Sequence, residues 1–282
     1  MTSPSNSSEQ WFHPLIARSE PRLNRRRLLL MTGSGLAAAV VARPELTLVS
    51  AQTPEATPGA IADLIQDQLT GDEDAVALLR ESALAMAALD SFKFEIETVS
   101  GESSIFQGLS VDMIEGSVRR PFDFTATVTV GVPFGTLDVT AVSIDRAAWV
   151  EDPLNTGQWI TLEGAEDFVA LINPDTLFLS SIGLIQDATI EGAERVDGSD
   201  TTRIAGYVDF SDTAEQLANG PVSLPTQVSA EPLPVLIWID ADNRVVEIEI
   251  TGPILTSESA DVVRDIRFFD FNEPVDITKP DF

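Results

Sequence analysis

The residues that most often perform catalysis are nearly absent from this 282-residue chain. It has no cysteine, and its single histidine, His13, lies in the N-terminal leader described below. The rest of the chain therefore lacks the commonest general base, a thiol nucleophile and the usual ligands of zinc or copper. A serine–lysine dyad would need Lys93 or Lys279, and we expect both to lie at element ends in polar surroundings, whereas a lysine base must be desolvated. We therefore predict no metal site and no cofactor.

Paired carboxylates are the remaining route to catalysis. Glu95 with Glu97, and Glu247 with Glu249, would each project from one face of a strand at a spacing that a glycosidase could use. An isoleucine separates the members of each pair and faces the other way, which favours a solvated sheet face. A carboxylate-based glycosidase stays open as the less favoured alternative, and we predict no catalytic residue.

Two other polar clusters are interpreted as structural. The segment Asp240–Arg244 has acidic residues at calcium-loop spacing, but an arginine takes a ligand position and no glycine follows. This pattern indicates a hairpin turn.

Arg119 and Arg120 could contact an anionic headgroup, although a solvated strand end is the preferred interpretation. Core packing accounts for Trp149, Trp159 and Trp238.

Residues 1–51 have the pattern of an export leader. Arg25 and Arg26 precede an apolar run from Leu28 to Ala42, which resembles a twin-arginine signal peptide. The run is shorter than the ~20 apolar residues that span a bilayer. Small residues at Val49 and Ala51 predict cleavage after Ala51, with an uncleaved membrane anchor as the alternative. We therefore predict an exported protein of the cell envelope.

The charge of the remaining chain excludes some partners. Residues 1–51 hold six arginines and three glutamates, so residues 52–282 carry a formal charge of −31. Such an acidic surface opposes binding to phosphate backbones and to anionic membrane surfaces. We predict no nucleic-acid partner, and we attribute the charge to a solvated surface.

The stretch Thr70–Val99 organises the predicted fold. Thr70 and Glu73 have the spacing of a capping box at a helix start. The run Ala83–Leu89 contains no polar residue, which predicts a helix enclosed on all sides. The alternating apolar residues from Phe92 to Ile96 then predict a strand with one face on the core.

The downstream pattern predicts one α+β domain over residues 72–282, preceded by a flexible linker and short helix over 52–71. Helical spacing covers Ala165–Ile172, Asp175–Leu184 and Ser211–Leu217, and Asn219–Pro234 is a long proline-rich loop. The predicted strands, which suit an antiparallel meander, are Ile105–Val118, Phe122–Val130, Leu137–Ile144, Ala147–Val150, Trp159–Leu162, Ala188–Val196, Thr201–Val208, Val235–Ile239, Val245–Ile250 and Val262–Phe271.

Several segments occur in the order of a known family. Ile172–Pro174, Gly183–Ile185 and the run Ala188–Gly206 resemble the actinobacterial cell-envelope lipoprotein family LppX/LprA/LprF/LprG. The segments Pro234–Ile239 and Phe271–Pro280 are similar to the two closing strands of that family. Gly116–Pro121 and Ala148–Leu162 fit it as well, so the resemblance spans nearly all of Asp72–Pro280.

This resemblance implies a LolA/LppX-like fold, a curved antiparallel β half-barrel with helices covering the concave face. It also implies a lipid or glycolipid carrier that shields acyl chains in an apolar cavity, with an envelope transporter as a candidate partner. Periodicity alone favours a filled core. The residues that would line the cavity are Val76, Leu79, Ala83, Met86, Phe122, Phe124, Val128, Val130, Val139, Phe168, Leu171, Phe178 and Ile182.

Two points limit what the resemblance implies. Family members are usually anchored through a lipidated cysteine, and this chain has none, so their tethered placement is not carried over. An envelope sensor or interaction module on the same fold stays open as an alternative function.

Overall fold

The computed structural model describes residues 69–103, 110–121, 123–133, 135–145, 147–162, 182–210, 229 and 231–281. These residues belong to one compact unit and contain one long helix, α1 (Glu73–Ala87). The strands are β1 (Ser91–Ser100), β2 (Ser110–Arg119), β3 (Asp123–Val132), β4 (Gly135–Ile144), β5 (Ala147–Glu151), β6 (Trp159–Leu162), β7 (Ile185–Val196), β8 (Ser199–Val208), β9 (Leu233–Asp240), β10 (Val245–Thr251) and β11 (Val263–Phe269). No helix among the described residues is long and apolar enough to cross a membrane.

All eleven strands form one antiparallel sheet. Their order is β6-β5-β4-β3-β2-β1-β11-β10-β9-β8-β7, so two meanders meet where β1 pairs with β11. The alternation of apolar residues therefore predicts the strands correctly, and the predicted α+β half-barrel is confirmed as an open, curved antiparallel sheet. Predicted helices Ala165–Ile172 and Ser211–Leu217 lie outside the described residues, as do most of Asp175–Leu184 and of the loop Asn219–Pro234. β9 begins at Leu233, so the last two residues of that loop are in a strand.

The start of α1 differs from the predicted capping box. Asp72 is the N-cap residue, and its side chain makes no capping hydrogen bond. The Thr70 hydroxyl instead accepts a hydrogen bond from the Asp187 backbone N–H at 3.0 Å. Backbone bonds join Thr70 and Asp72 to Ala188 of β7 at 2.8 Å. This pairing keeps the chain extended there and takes the Thr70 side chain away from the helix.

A glycine is required where this segment touches β7. Gly71 forms a parallel bridge with Ala188 at a φ of 137°. A Cβ at Gly71 would lie 2.2 Å from the Ala188 carbonyl oxygen, and a side chain rarely adopts that φ. The close approach fixes the N-terminal end of α1 to the β7 edge of the sheet.

The prediction that α1 is enclosed on all sides is wrong. Its buried side consists of Ala75, Leu79, Ser82, Ala83 and Met86. The opposite side faces solvent, since Leu84 is 46% exposed and Ala88 is also exposed. The run Ala83–Leu89 is rich in alanine, which favours helix and exposes little apolar surface when it faces water. One side of the helix is therefore buried and the other is exposed, although the run Ala83–Leu89 contains no polar residue.

The solvated strand end predicted for Arg119 and Arg120 is wrong for Arg120, whereas the Arg119 side chain is 42% exposed. Arg120 donates from Nη1 to the carbonyl oxygens of Met86 and Leu89, both at 2.6 Å, and so satisfies the C-terminal end of α1. Its guanidinium also lies over the Phe92 ring. Arg119 forms a 2.7 Å ion pair with Asp123. Both side chains have structural partners that a sequence pattern does not reveal.

The segment Phe271–Pro280, which resembles a closing strand, is not a strand. It follows β11 as an extended tail on the face of the sheet away from α1, where Ile277 packs with Val142 and Trp149. Arg119 donates to the Ile277 carbonyl oxygen at 3.3 Å, and the Lys279 ammonium lies 5.3 Å from the centre of the Trp149 ring. Pro274 and Pro280 suit such a tail because proline has no N–H for a strand ladder.

Candidate functional site

The sheet has two faces of different chemistry. The face that packs against α1, called here the inner face, is almost entirely apolar, and the outer face carries most of the charged residues of the strands. Side chains alternate between the faces, so Phe92, Phe94 and Ile96 of β1 lie inside while Glu95 and Glu97 lie outside. The apolar residues of the inner face and of α1 form one core cluster.

Burial differs between the two halves of the inner face. In the half formed by β7–β11, Ile237, Ile248 and Ile266 are at most 3% exposed. A cavity of about 10 Å³ remains there, which is room for no more than one water molecule. It is lined by Ile182, Ile185, Val208, Val235, Ile237, Ile248 and Ile250. This half of the inner face is filled by its own side chains.

The other half contains a partly open apolar surface, called here the β3–β4 strip. It consists of the inner residues of β3 and β4, which the strand register aligns in four rows. Counted from the β4–β5 turn, the rows are Phe124 with Ser143, Ala126 with Ala141, Val128 with Val139, and Val130 with Leu137.

Exposure rises from the first row towards the third. Phe124 and Ser143 are fully buried, whereas Val128 and Val139 are only half-buried. Exposure also rises towards the sheet edge. Ala141 pairs with Val150 of β5, and Val150 pairs with Ile160 of β6, which is 49% exposed. The strip therefore combines a buried end with an apolar surface that a ligand can reach.

A polar cluster closes the inner face at the far end of β1, β11 and β10. Arg264 of β11 points inward, is 6% exposed, and forms an ion pair with the buried carboxylate of Glu258. Ser103 donates to the same carboxylate at 3.0 Å, and the Leu255 backbone N–H donates to its other oxygen at 2.9 Å. Because both charges are buried, each depends on the other for compensation.

The outer face carries a cluster of carboxylates. Glu247 is half-buried, and desolvation followed by the nearby charge of Asp265 raises its pKa to about 7. Asp265 is 8% exposed and accepts a 2.6 Å hydrogen bond from Arg267, which also faces Glu95 at 3.6 Å. Glu247 therefore departs from the solvated sheet face that the sequence predicts for Glu247 and Glu249. Among the described residues no group of side chains is arranged to hold a metal ion.

The turn between β9 and β10 is confirmed as a hairpin turn. The Asp240 carboxylate accepts hydrogen bonds from the backbone N–H groups of Asp242 and Arg244 at 2.9 and 2.8 Å. Arg244 pairs with the same carboxylate at 2.7 Å, so its oxygens are occupied within the turn.

Comparison with known proteins identifies the family. The family model described as LppX_LprAFG lipoprotein matches residues 74–277, from the first turn of α1 to the tail on the outer face. The chain belongs to the LppX_LprAFG family. This match confirms the resemblance drawn from the sequence, and it covers every strand of the inner face.

Individual relatives of this family agree with that assignment. The lipoarabinomannan carrier protein LprG of Mycobacterium tuberculosis H37Rv is 25% identical over 266 residues, covering 92% of this chain and 98% of the relative. The LprG protein of Mycolicibacterium smegmatis is 25% identical over 212 residues, 73% of this chain and 83% of the relative. Both alignments cover most of each protein.

Solved structures from the family share the fold. LprF from Mycobacterium bovis has a TM-score of 0.54 at 16% identity, covering 75% of this chain and 99% of that one. LppX from Mycobacterium tuberculosis has a TM-score of 0.50 at 20% identity, covering 74% and 100%. The LppX_LprAFG fold is thus an open antiparallel sheet with helical cover on one face.

The residues predicted to line a cavity divide into four groups. Leu79, Ala83 and Met86 lie on the buried side of α1, while Val76 is half-buried beside the core. Phe124, Val128, Val130 and Val139 belong to the β3–β4 strip, and Ile182 borders the small cavity of the filled half. Phe122, Phe168, Leu171 and Phe178 lie outside the described residues. The role of all of these residues in binding stays a prediction.

Sequence reasoning missed several residues of the inner face. Leu137 and Ser143 share the alternation that predicts Val139, and Arg264 shares it with Ile266 and Phe268. The period of two could have placed all three inside. What it does not give is the burial of Arg264 with Glu258, which depends on contacts between distant segments.

Proposed function

We propose that this protein carries a lipid or glycolipid within the cell envelope and shields its acyl chains against the inner face of the sheet. The observation that carries this proposal is the β3–β4 strip, an apolar surface that is reachable at Val128 and Val139 and continuous with a buried end. Membership of the LppX_LprAFG family and the relatives named lipoarabinomannan carrier protein support it.

The physical need for such a surface is large. Each methylene transferred from water to an apolar site contributes about 0.8 kcal/mol, so two long acyl chains in water cost roughly 20 kcal/mol. A carrier must supply an equivalent apolar environment. The strip is about 20 Å long, since six residues separate its first and last rows along each strand.

We also propose that the protein acts outside the cytoplasm, after export through the leader with Arg25 and Arg26 and cleavage after Ala51. An envelope transporter is a proposed partner. We propose no enzymatic role, because Glu95, from the pair that a glycosidase would use, faces Arg267 on the outer face.

The experiment that tests the proposed function is mass spectrometry of lipid extracted from the protein purified from its own envelope. We expect one class of acyl lipid in an amount that approaches the amount of protein. A matched sample that is washed with a competing fatty acid should lose that lipid. An extract no richer in lipid than that of an unrelated acidic envelope protein contradicts the proposal.

A further inference from the structure

The outer face of the sheet carries a groove that the proposed function does not use, called here the outer groove. It lies where β7, β8, β9 and β10 run side by side, and its volume is about 360 Å³. Small-molecule sites begin at roughly 300 Å³. Its lining includes Asp187, Thr189, Ala205, Tyr207, Leu236 and Glu249. Tyr207 is 46% exposed, and Asp187 and Thr189 are exposed as well, so a ligand can reach the groove from solvent.

A bulge in β7 forms one side of the outer groove. The ladder between β7 and β8 breaks between Gln186 and Thr189, where Asp187 has a φ of 53°. Ala188 pairs instead with the segment that precedes α1. A bulge of this kind disrupts the ladder locally and bends the strand. Ala205, opposite Thr189, has only a methyl group to cover the sheet there. The broken ladder and this short side chain together account for a depression in an otherwise continuous sheet.

Each end of the outer groove carries a carboxylate. The strand register aligns four residues of β10, β9, β8 and β7 in one row, which are Glu249, Leu236, Ala205 and Thr189. Asp187 lies two residues before Thr189 on β7. Neighbouring strands are about 4.8 Å apart, so β7 and β10 are about 14 Å apart across the sheet. The groove therefore has an acidic group at each end and an apolar floor between them.

Neither carboxylate has a cationic partner in the part of the chain that the structure describes. No lysine or arginine is among the described residues that line the groove. The outer-face arginines of β8 and β11 are already paired, since Arg203 binds two glutamates of β7 and Arg267 binds Asp265. An ionised carboxylate only accepts hydrogen bonds. Asp187 and Glu249 therefore favour a ligand that brings positively charged donors to both ends of the groove.

We propose that the outer groove binds an extended basic segment of a partner protein, whose two cationic side chains are four residues apart. Side chains four residues apart in a strand lie on the same face and are about 14 Å apart, which matches the separation of β7 and β10. The residue midway between them would rest on Ala205 and Leu236, and the exposed Tyr207 ring can also attract a cation. This inference does not depend on the carrier function, because the groove lies on the face of the sheet away from the β3–β4 strip.

The test compares two fluorescent peptides that have the same composition and charge. The spaced peptide is Arg-Ala-Val-Ala-Arg and the adjacent peptide is Arg-Arg-Val-Ala-Ala, and fluorescence anisotropy measures their binding to the purified protein. The variants Asp187→Asn and Glu249→Gln each remove one carboxylate, and asparagine tolerates the positive φ at position 187. The control Glu115→Gln removes the same charge from an exposed outer-face position on β2. The melting temperature of each variant shows whether the fold is kept.

We expect the parent protein to bind the spaced peptide about three- to tenfold more tightly than the adjacent peptide. Asp187→Asn and Glu249→Gln should each weaken binding of the spaced peptide about two- to fivefold, while Glu115→Gln keeps the preference.

Equal binding of the two peptides would show a diffuse attraction to an acidic surface and would overturn the proposal. Absence of binding, or a preference that survives in both groove variants, overturns it as well. If spermidine displaces the spaced peptide at an equal concentration, the groove takes a free polyamine and the proposal of a partner segment fails. None of these outcomes affects the carrier function, which is measured with lipids.

Discussion

Replacing Val128 by tryptophan distinguishes a ligand surface from an ordinary filled core. Val128 is half-buried in the third row of the β3–β4 strip, opposite Val139. If the strip were filled, the indole would overpack it and cost about 1–3 kcal/mol. In a domain of this size each kcal/mol lowers the melting temperature by roughly 2–4 °C, so the loss would be roughly 2–12 °C. On an open strip the indole has room, and the melting temperature should change by less than about 2 °C.

The same substitution should block binding, because the indole occupies the surface on which the acyl chain lies. We expect at least about a tenfold loss of affinity for a fluorescent acyl probe, or about 1.4 kcal/mol. Thr127→Trp is the matched control, since Thr127 is the half-buried neighbour on the outer face. Ile248→Trp is the comparison for a filled site, because Ile248 is 3% exposed in the half of the inner face that its own side chains fill. The reasoning is refuted if Val128→Trp destabilises the protein as much as Ile248→Trp and leaves probe affinity unchanged.

Three further predictions concern the rest of the molecule. Arg264→Ala should lower the free energy of unfolding in urea by about 3–5 kcal/mol, because it leaves Glu258 buried without its partner; a loss below about 1 kcal/mol contradicts this. The pKa of Glu247 is raised to about 7 in the folded protein, so protonation of this carboxyl favours the folded state. This stabilisation is fully present below the ordinary pKa of a glutamate and should be lost as the pH rises towards 7. The loss is about 1 kcal/mol after discounting for solvent screening, and Glu247→Gln should remove it from urea unfolding measured between pH 4.5 and 8. Replacing Arg25 and Arg26 together by lysine should leave folded precursor in the cytoplasm by fractionation, and normal export would argue against a twin-arginine signal.

Much of the fold could be predicted because its strands are regular. Apolar alternation in β1, β3 and β4 follows the period of two, and each of these strands has one face on the core. The order of the strands is not encoded in any one of them. The pairing of β1 with β11 joins residues at a sequence separation that local patterns do not reach.

The errors have a common physical origin in contacts between distant segments. Thr70 fits a capping box, but pairing with β7 keeps it extended. Arg120 reads as an exposed strand end, but the unsatisfied carbonyl groups of α1 need a donor there. In each case a partner that is distant in sequence decides where the side chain lies.

The sequence predicts which residues of the candidate site share a face of the sheet, but it does not predict how deeply each of them is buried. Alternation places Val128 and Val139 on one face, and it places Ser143 there as well. The difference in burial between the two halves of the inner face depends on packing from many segments. The absence of a partner for the Ser143 hydroxyl, within the described part of the chain, likewise follows only from three-dimensional contacts.

Transfer of a fluorescent acyl lipid between two populations of vesicles tests the carrier function most directly. The donor and acceptor vesicles are separated by a membrane that passes the protein but not vesicles. We predict that the transfer rate rises in proportion to the concentration of the parent protein, is kept by Thr127→Trp, and falls to the protein-free rate with Val128→Trp. A rate with the parent protein equal to the protein-free rate would contradict the proposal that this chain carries lipid.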